Sequence, residues 1–106
     1  MEVAFEVEIK PQFQDNLKSI IDFIRSKSVQ NSERFKKEII ELIYKISQYP
    51  EFYPVQHKVA TKYEYRYAIF KKSYHVYFRI SGQVITIVDI FHARQNPLKI
   101  KTLDKI

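Results

Sequence analysis

The chain has 106 residues, 45% of them hydrophobic and 15% aromatic, enough for the core of one domain, which we expect to span residues 1–106. One Gly and four Pro argue against a disordered or loop-dominated chain, and the lack of Cys excludes disulfides and thiolate metal sites, in keeping with a reducing cytosol. The N-terminus, MEVAFEVEIK, has no basic segment before an apolar run, and no apolar run nears the roughly 20 residues of a membrane span, so we expect a cytoplasmic location and no membrane partner.

The net charge of +6 is unevenly distributed along the chain. Residues 1–54 hold eight Lys and Arg against nine Asp and Glu, whereas residues 55–106 hold ten against three. All the excess positive charge therefore lies in the second half. This asymmetry predicts a polyanionic or acidic partner for that half. The alternative is a basic surface that only keeps the protein in solution.

The first half predicts a strand followed by two amphipathic helices. Period-two alternation marks a half-buried strand at Val3, Phe5, Val7 and Ile9. Pro11 suits the first turn of a helix, whose apolar stripe is Phe13, Leu17, Ile20, Ile21 and Ile24. Ser28 or Ser32 can cap a second helix, with an apolar stripe at Phe35, Ile39, Leu42, Ile43, Ile46 and Tyr49. Because Pro50 ends it and the connection is short, we expect an antiparallel hairpin.

Two segments lack strong periodicity. Residues 50–63 contain two prolines and predict an ordered loop, with Phe52, Tyr53 and Val55 packed against the domain. Residues 97–106 mix four apolar residues with three lysines, a pattern compatible with a final short element or with a mobile tail.

Between these segments, Tyr65 to Pro97 predicts a three-strand meander, and so an α+β fold of order β-α-α-β-β-β with the helix hairpin on one face of an antiparallel sheet. A two-residue turn at Ser81-Gly82 would pair Ile80 with Gln83, Phe78 with Ile85, and Val76 with Ile87. A two-residue loop at Lys72-Ser73 would place Tyr65, Tyr67 and Ile69 on the helix face.

In this register the second face of the sheet stays partly open and gathers the polar side chains. Arg66, His75, Arg79 and His92 would converge there, with Arg94 just past the strand end. Arg66 and Arg79 would form a cross-strand pair of like charges, which is unfavourable without a nearby anion. A slip of one residue would move every side chain to the other face.

Each candidate also has a structural interpretation. Glu64 or Asp89 could neutralise the arginine pair, each His could bond a backbone carbonyl, and Arg94 could cap strand carbonyls. Lys71 and Lys72, at a loop tip, could be simply solvated.

Several kinds of catalytic motif are missing. The sequence has no Gly-rich phosphate loop, no nucleophile elbow and no HExxH. Three scattered His without Cys argue against a zinc site, and the strand region has no carboxylate pair for magnesium. We therefore expect no metal and no cofactor.

The predicted order of elements, ending in a His-x-Arg-x-x-Pro tail, resembles the RelE/ParE superfamily of bacterial type II toxins. The resemblance covers Glu2 to Pro97. The residues that carry it are the Tyr49-Pro50 dipeptide that closes the second helix, Tyr65 to Phe70, Ser73 to Ile80, Val84 to Ile90, and His92-Ala93-Arg94-Gln95-Asn96-Pro97.

The resemblance implies a growth-inhibiting toxin that a cognate antitoxin neutralises by wrapping it with a helix and an extended segment. RelE-like members cut mRNA on the ribosome without a metal, whereas ParE-like members poison DNA gyrase and are not nucleases. We predict a ribosome-dependent mRNA endonuclease, because basic groups and two His are expected on one face. The alternatives are a gyrase inhibitor and a non-toxic basic module that binds nucleic acid or a protein.

In the nuclease hypothesis the resemblance assigns catalysis to His92, Arg94 and His75. Either His would be the general base or acid, and Arg94 with Arg66 would bind the scissile phosphate. Further substrate contacts would come from Arg79, Lys71 and Lys72. His75 follows a Tyr at a position where many family members carry Arg, and His92 occupies the His of a tail common in ParE-like sequences.

Overall fold

The computed structural model of the protein describes residues 5–106, so Val3 of the predicted first strand lies outside the described part. The elements are β1 (Glu6–Ile9), α1 (Pro11–Lys27), α2 (Val29–Gln48), a 3-10 turn (Pro50–Phe52), β2 (Arg66–Phe70), β3 (Tyr74–Ser81), β4 (Val84–His92) and a C-terminal 3-10 helix (Pro97–Lys105). This order confirms the predicted α+β fold. Within residues 5–106, no helix has the length and apolar content that crossing a bilayer requires.

The helix hairpin forms as predicted, with Ser28 as its single linking residue. Ser28 is extended, and its Oγ accepts a hydrogen bond of 3.1 Å from the Asn31 N–H, which caps α2. Ser32, the other candidate cap, is buried and donates its hydroxyl to the Val29 carbonyl. A link this short forces the two helices to run antiparallel.

The sheet has the strand order β1-β4-β3-β2. The meander of β2, β3 and β4 is antiparallel, whereas β1 joins β4 in parallel. The Lys10 N–H donates to the Ile87 carbonyl at 3.0 Å, which continues this parallel ladder into the start of α1. The sheet is thus mixed, with β1 and β2 at its edges.

The β3–β4 turn lies one residue later than predicted. Its central residues are Gly82 and Gln83, so Ile80 pairs with Ile85 and Phe78 with Ile87. Gly82 has φ +59, as the first central residue of a type II′ turn requires. The predicted pairs are wrong by two positions on β4, a shift that leaves each side chain near the turn on its predicted face.

A β-bulge further along β4 moves the side chains beyond it to the face opposite the predicted one. Phe78 pairs with Ile87 but Tyr77 pairs with Asp89, so Val88 is an extra residue between them. Beyond the bulge the alternation is inverted, and Ile90 packs in the core beneath the helices. His92 moves to the same side, where its ring lies 5.6 Å from that of Tyr74. The prediction that His92 lies on the face opposite the helices is wrong.

The β2–β3 loop also differs from its prediction, by one residue. Phe70 pairs with Tyr74, so the loop has three residues, Lys71 to Ser73, instead of two. This slip exchanges the two faces of β2. Ala68 and Phe70 pack under the helices, and Tyr67 packs on the opposite face.

Both faces of the sheet are covered. The main core lies between the sheet and the helices, and includes Phe13, Ile21, Phe35, Ile39, Ile46, Val76, Phe78, Ile85, Ile87 and Ile90. A second core covers the other face: Tyr65, Tyr77, Val88, Phe91, Ile100 and Leu103. The last two side chains come from the C-terminal 3-10 helix, so residues 97–105 are an ordered element and the expected open face is closed.

The 50–63 segment is ordered but only partly packed. The Tyr53 ring meets Phe78 edge-on at 5.8 Å, and Val55 forms a β-bridge with Arg66. Phe52 is 87% exposed, so the prediction that it packs against the domain is wrong.

Asp89 follows the bulge residue and is 1% exposed. Its Oδ1 accepts hydrogen bonds from the Asn16 side-chain amide on α1 and from the Ile90 N–H. Burial raises the pKa of the Asp89 carboxyl, and the two hydrogen bonds oppose that shift. Because the folded state then binds the proton more readily than the unfolded chain, Asp89 makes stability fall as the pH rises from 3.8 through the raised pKa.

We expect Asp89→Asn to remove this pH dependence, because the amide keeps the Oδ1 acceptor without the buried charge. At pH 7 the variant should be at least as stable as the parent. Asp89→Ala should lose about 1–3 kcal/mol, because the Asn16 amide and the Ile90 N–H are left unpaired. Urea unfolding at pH 5 and pH 7 measures the free energy of unfolding of the parent and of both variants. Equal losses for the Asn and Ala variants would contradict this account of Asp89.

Candidate functional site

The sheet separates the polar residues that were expected to converge. Arg66 and His92 lie on the helix side, whereas His75 and Arg79 alternate onto the opposite face. Arg66 pairs with Phe78, and Arg79 pairs with Thr86. The predicted cross-strand arginine pair and the predicted gathering of four cationic groups on one face are both wrong. The cause is the three-residue loop together with the bulge at Val88.

Arg66 is engaged by the protein backbone. Its Nη1 donates to the carbonyls of Glu51 at 3.2 Å and Tyr53 at 2.6 Å. Its Nη2 lies 3.9 Å from the Glu64 carboxylate. The side chain is 21% exposed. These contacts fasten the 3-10 turn to the start of β2, which is a structural role.

His75 lies in a cavity of about 70 Å³ between β3 and the C-terminal 3-10 helix. Its ring stacks on Tyr67, with centroids 5.0 Å apart, and its Nδ1 shares a hydrogen bond of 3.2 Å with the Tyr77 hydroxyl. Burial, and to a smaller extent the charge of Lys58, lower the pKa of His75 below 6.5. His75 is therefore neutral at pH 7.

Two more residues that were predicted to contact the substrate, Arg79 and Lys71, interact with other residues of the protein instead. The Arg79 guanidinium lies over the Tyr63 ring, 4.3 Å from its centroid. Lys71 forms an ion pair of 2.5 Å with Glu38 on α2. Both cations are thereby held within the fold.

The remaining predicted residues do come together, at the end of the sheet where the last residues of β4 lie beside the β2–β3 turn. Lys72, Ser73, His92 and Arg94 line one depression of about 500 Å³. His92 also lines the neighbouring depression, which includes Lys99. We call Lys72, His92, Arg94 and Lys99 the basic corner. Neither depression is lined by an Asp or a Glu.

The hydrogen bonds of His92 define which ring nitrogen can face a ligand. Nδ1 accepts from the Arg94 N–H at 3.0 Å. In the neutral ring the proton therefore lies on Nε2, which is left as a donor. The Ala93 N–H donates to the Ser73 carbonyl at 2.8 Å and holds the turn against the strand end. The corner thus presents an imidazole N–H beside three side-chain cations.

Sequence reasoning missed Lys99 and Lys58. Lys99 is placed by the 3-10 helix, and its Nζ lies 5.0 Å from the centre of the Phe91 ring. Lys58 reaches His75 from the 55–65 segment. Neither segment has a periodicity that predicts its orientation. Within residues 5–106, no three His, Asp or Glu side chains are grouped so as to hold a metal ion.

Comparison with known protein families shows which family the chain belongs to. A model of the ParE toxin of the type II toxin–antitoxin system parDE matches residues 7–97. The chain belongs to the ParE toxin family. It is therefore a type II toxin with an antitoxin partner, as the resemblance implied.

The fold agrees with this assignment. A chain of the chromosomal ParDE toxin–antitoxin system from P. aeruginosa superposes with a TM-score of 0.68 at 15% identity, covering 84% of this chain and 96% of the other. A search of curated proteins finds no match. At this identity, the likeness to the P. aeruginosa chain concerns the fold alone.

We expect Arg66→Met in this ParE-family toxin to lower the free energy of unfolding by about 1–3 kcal/mol, because the charged guanidinium loses its hydrogen bonds to the Glu51 and Tyr53 carbonyls. Arg94→Met is the matched control. Its side chain is exposed, and its loss should change stability by less than about 0.5 kcal/mol. Urea denaturation measures the free energy of unfolding of both variants. Equal stability of the two variants would show that the Arg66 contacts contribute nothing.

His75 should titrate below pH 6.5 in an NMR pH series. An imidazole with a lowered pKa binds its proton more readily in the unfolded chain, so it destabilises the fold as the pH falls below 6.5. Lys58→Met should raise the His75 midpoint only part of the way, because burial is the larger cause. Lys62→Met, which removes a lysine that does not contribute to this shift, is the control. An unchanged His75 midpoint in Lys58→Met would exclude the electrostatic contribution.

Proposed function

We propose that this ParE-family toxin arrests growth by binding DNA gyrase, not by cutting mRNA. The observation that supports this proposal is that the expected residues do not meet. His75 and Arg79 lie on the opposite face from His92, and Arg66 pairs with Phe78, further along β3 than Tyr74, the partner of His92. The nuclease hypothesis needed His92 or His75 as general base or acid, Arg94 and Arg66 together at one scissile phosphate, and Arg79 as a further substrate contact. Family membership favours the same conclusion, because the resemblance associates ParE-like toxins with gyrase.

Metal-free cleavage of RNA needs a base for the 2′-OH, an acid for the leaving oxygen, and cations at the phosphate, all within hydrogen-bond reach of one substrate. His75 cannot serve at the corner, because its half-buried ring lies on the opposite face of the sheet and stacks on Tyr67. Arg66 and Arg79 are held by the fold. His92 is left as the only imidazole of the basic corner.

Cleavage of mRNA remains the second candidate function, because the corner still combines His92 with Arg94 and Lys72. In that mechanism His92 would transfer the proton, and the two cations would bind the scissile phosphate. In the gyrase mechanism the same side chains make binding contacts alone. The two mechanisms therefore differ in what they require of the imidazole.

The test is inducible expression with RNA 5′-end mapping, together with a supercoiling assay on purified gyrase and toxin. We expect inhibited supercoiling, a DNA-damage response and no new mRNA 5′ ends. Co-expression of the antitoxin encoded beside the toxin gene should restore growth. New 5′ ends within codons, with unaffected gyrase, would overturn the proposal and support the nuclease. Neither effect would support a non-toxic module.

His92→Gln sharpens this test. Gln keeps a side-chain N–H donor but cannot transfer a proton at neutral pH. In the gyrase mechanism we expect toxicity to fall a few-fold at most. Loss of a general acid or base would reduce RNA cleavage by about 10²–10⁴-fold.

A further inference from the structure

The β2–β3 turn has an unusual backbone for its sequence. Lys71 has φ +50 and Lys72 has φ +64, so two consecutive lysines occupy the left-handed region that suits Gly and Asn. Both side chains are exposed, so burial in the core does not account for the choice. Lys71 has its ion pair with Glu38. Lys72 has no acidic partner within residues 5–106.

The turn places this unpaired lysine among other cations. The hydrogen bond from the Ala93 N–H to the Ser73 carbonyl brings the turn beside the end of β4. Lys72 then shares a depression with His92 and Arg94, and Lys99 lies beyond His92. Lys99 lies close enough to the buried Asp89 carboxyl for its charge to act on it, whereas no ion pair is formed by Lys72 or Arg94 within residues 5–106. Like charges in one place repel one another, and an anion between them relieves that repulsion.

The character of the corner distinguishes a phosphate backbone from a protein as the ligand. Protein interfaces are centred on aromatic and apolar anchors. No residue that lines the depression around Lys72 is a large exposed hydrophobic side chain. Such side chains lie elsewhere in the described chain, at Phe23, Val29, Ile40, Tyr44, Tyr49, Phe52, Tyr63, Ile69 and Leu98. The neighbouring depression around Lys99 does include apolar side chains, but these are buried or half-buried. Binding mainly through charge and N–H donors is the pattern of contacts to DNA phosphates.

We propose that the basic corner binds backbone phosphates of duplex DNA, and that it contacts the DNA held by gyrase. The contact with gyrase-held DNA rests on the proposed function. Phosphate binding by the basic corner is a property of the toxin alone. Lys72, Arg94 and Lys99 supply charges, and His92 Nε2–H and the Ser73 hydroxyl supply hydrogen-bond donors.

The test is fluorescence anisotropy of the full toxin with a labelled 20-base-pair duplex between about 50 and 200 mM salt. Three cations at phosphates predict a slope of log affinity against log salt of about −2.7. Lys72→Asn and Arg94→Gln should each weaken binding about tenfold at about 50 mM salt and reduce the slope by about 0.9. Lys71→Asn removes the same charge from the same turn, and should change affinity less than twofold.

Lys72→Asn also separates lost binding from lost folding. Asn tolerates the left-handed conformation better than Lys, so this variant should melt about 2–5 °C higher than the parent. Weaker DNA binding by a more stable protein cannot result from misfolding.

Three results would overturn the proposal: no binding to the duplex, equal effects of Lys71→Asn and Lys72→Asn, or tighter binding of poly-glutamate or single-stranded RNA at the same salt. The supercoiling assay, run in parallel, tests the proposed function separately. A toxin that binds DNA through the corner but leaves gyrase active would overturn the gyrase proposal and keep the DNA site. Inhibition that survives in Lys72→Asn while duplex binding is lost would overturn the contact with gyrase-held DNA.

Discussion

The arrangement of this sheet depends on one extra residue in β4. Before the bulge, Ile85 and Ile87 point toward the helices; after it, Ile90 does so. Val88 and Phe91 can then fill the core on the other face. A single central strand therefore supplies large apolar side chains to two layers. Strict alternation would instead have placed Asp89 on the same face as Ile85 and Ile87, beneath the helices. The buried carboxylate of Asp89 stands where the alternation changes, and its two hydrogen bonds satisfy it there.

Closure of the second face follows from the same feature. Because Val88 and Phe91 point away from the helices, they form with Tyr77 an apolar surface on which Ile100 and Leu103 pack. Asp104 then ties this helix to the segment before β2, accepting hydrogen bonds from the Tyr65 hydroxyl at 3.0 Å and from the Lys62 N–H at 2.7 Å. Burial raises the pKa of Tyr65, so its hydroxyl remains a donor at neutral pH. The covered strands of this face are therefore out of reach of a macromolecular ligand, and of the residues predicted to bind one, Lys72 and Arg94 remain exposed at the rim of the sheet.

The helices, the cap at Ser28 and the order of elements could be predicted from the sequence because each has a local signal. The turns could not be placed to the residue. Both Ser81-Gly82 and Gly82-Gln83 give Gly a central position, and Lys71-Lys72 has no intrinsic preference for the left-handed region it adopts. The bulge is hidden in a nearly continuous apolar run, where alternation is lost. Each of these local uncertainties moves whole sets of side chains between faces, so a site that depends on facing is less predictable than the fold that carries it.

The same geometry suggests why fold and target are separable in this chain. Val76, Phe78, Ile85 and Ile87 are fully buried, so their exchange would open cavities or overpack the core. Lys72 and Arg94 are exposed at the rim and contribute nothing to that core. Substitutions there change the charge presented to a ligand without loss of packing. A sheet held by its interior can therefore keep its shape at 15% identity while the rim, where the basic corner lies, is free to meet a different partner.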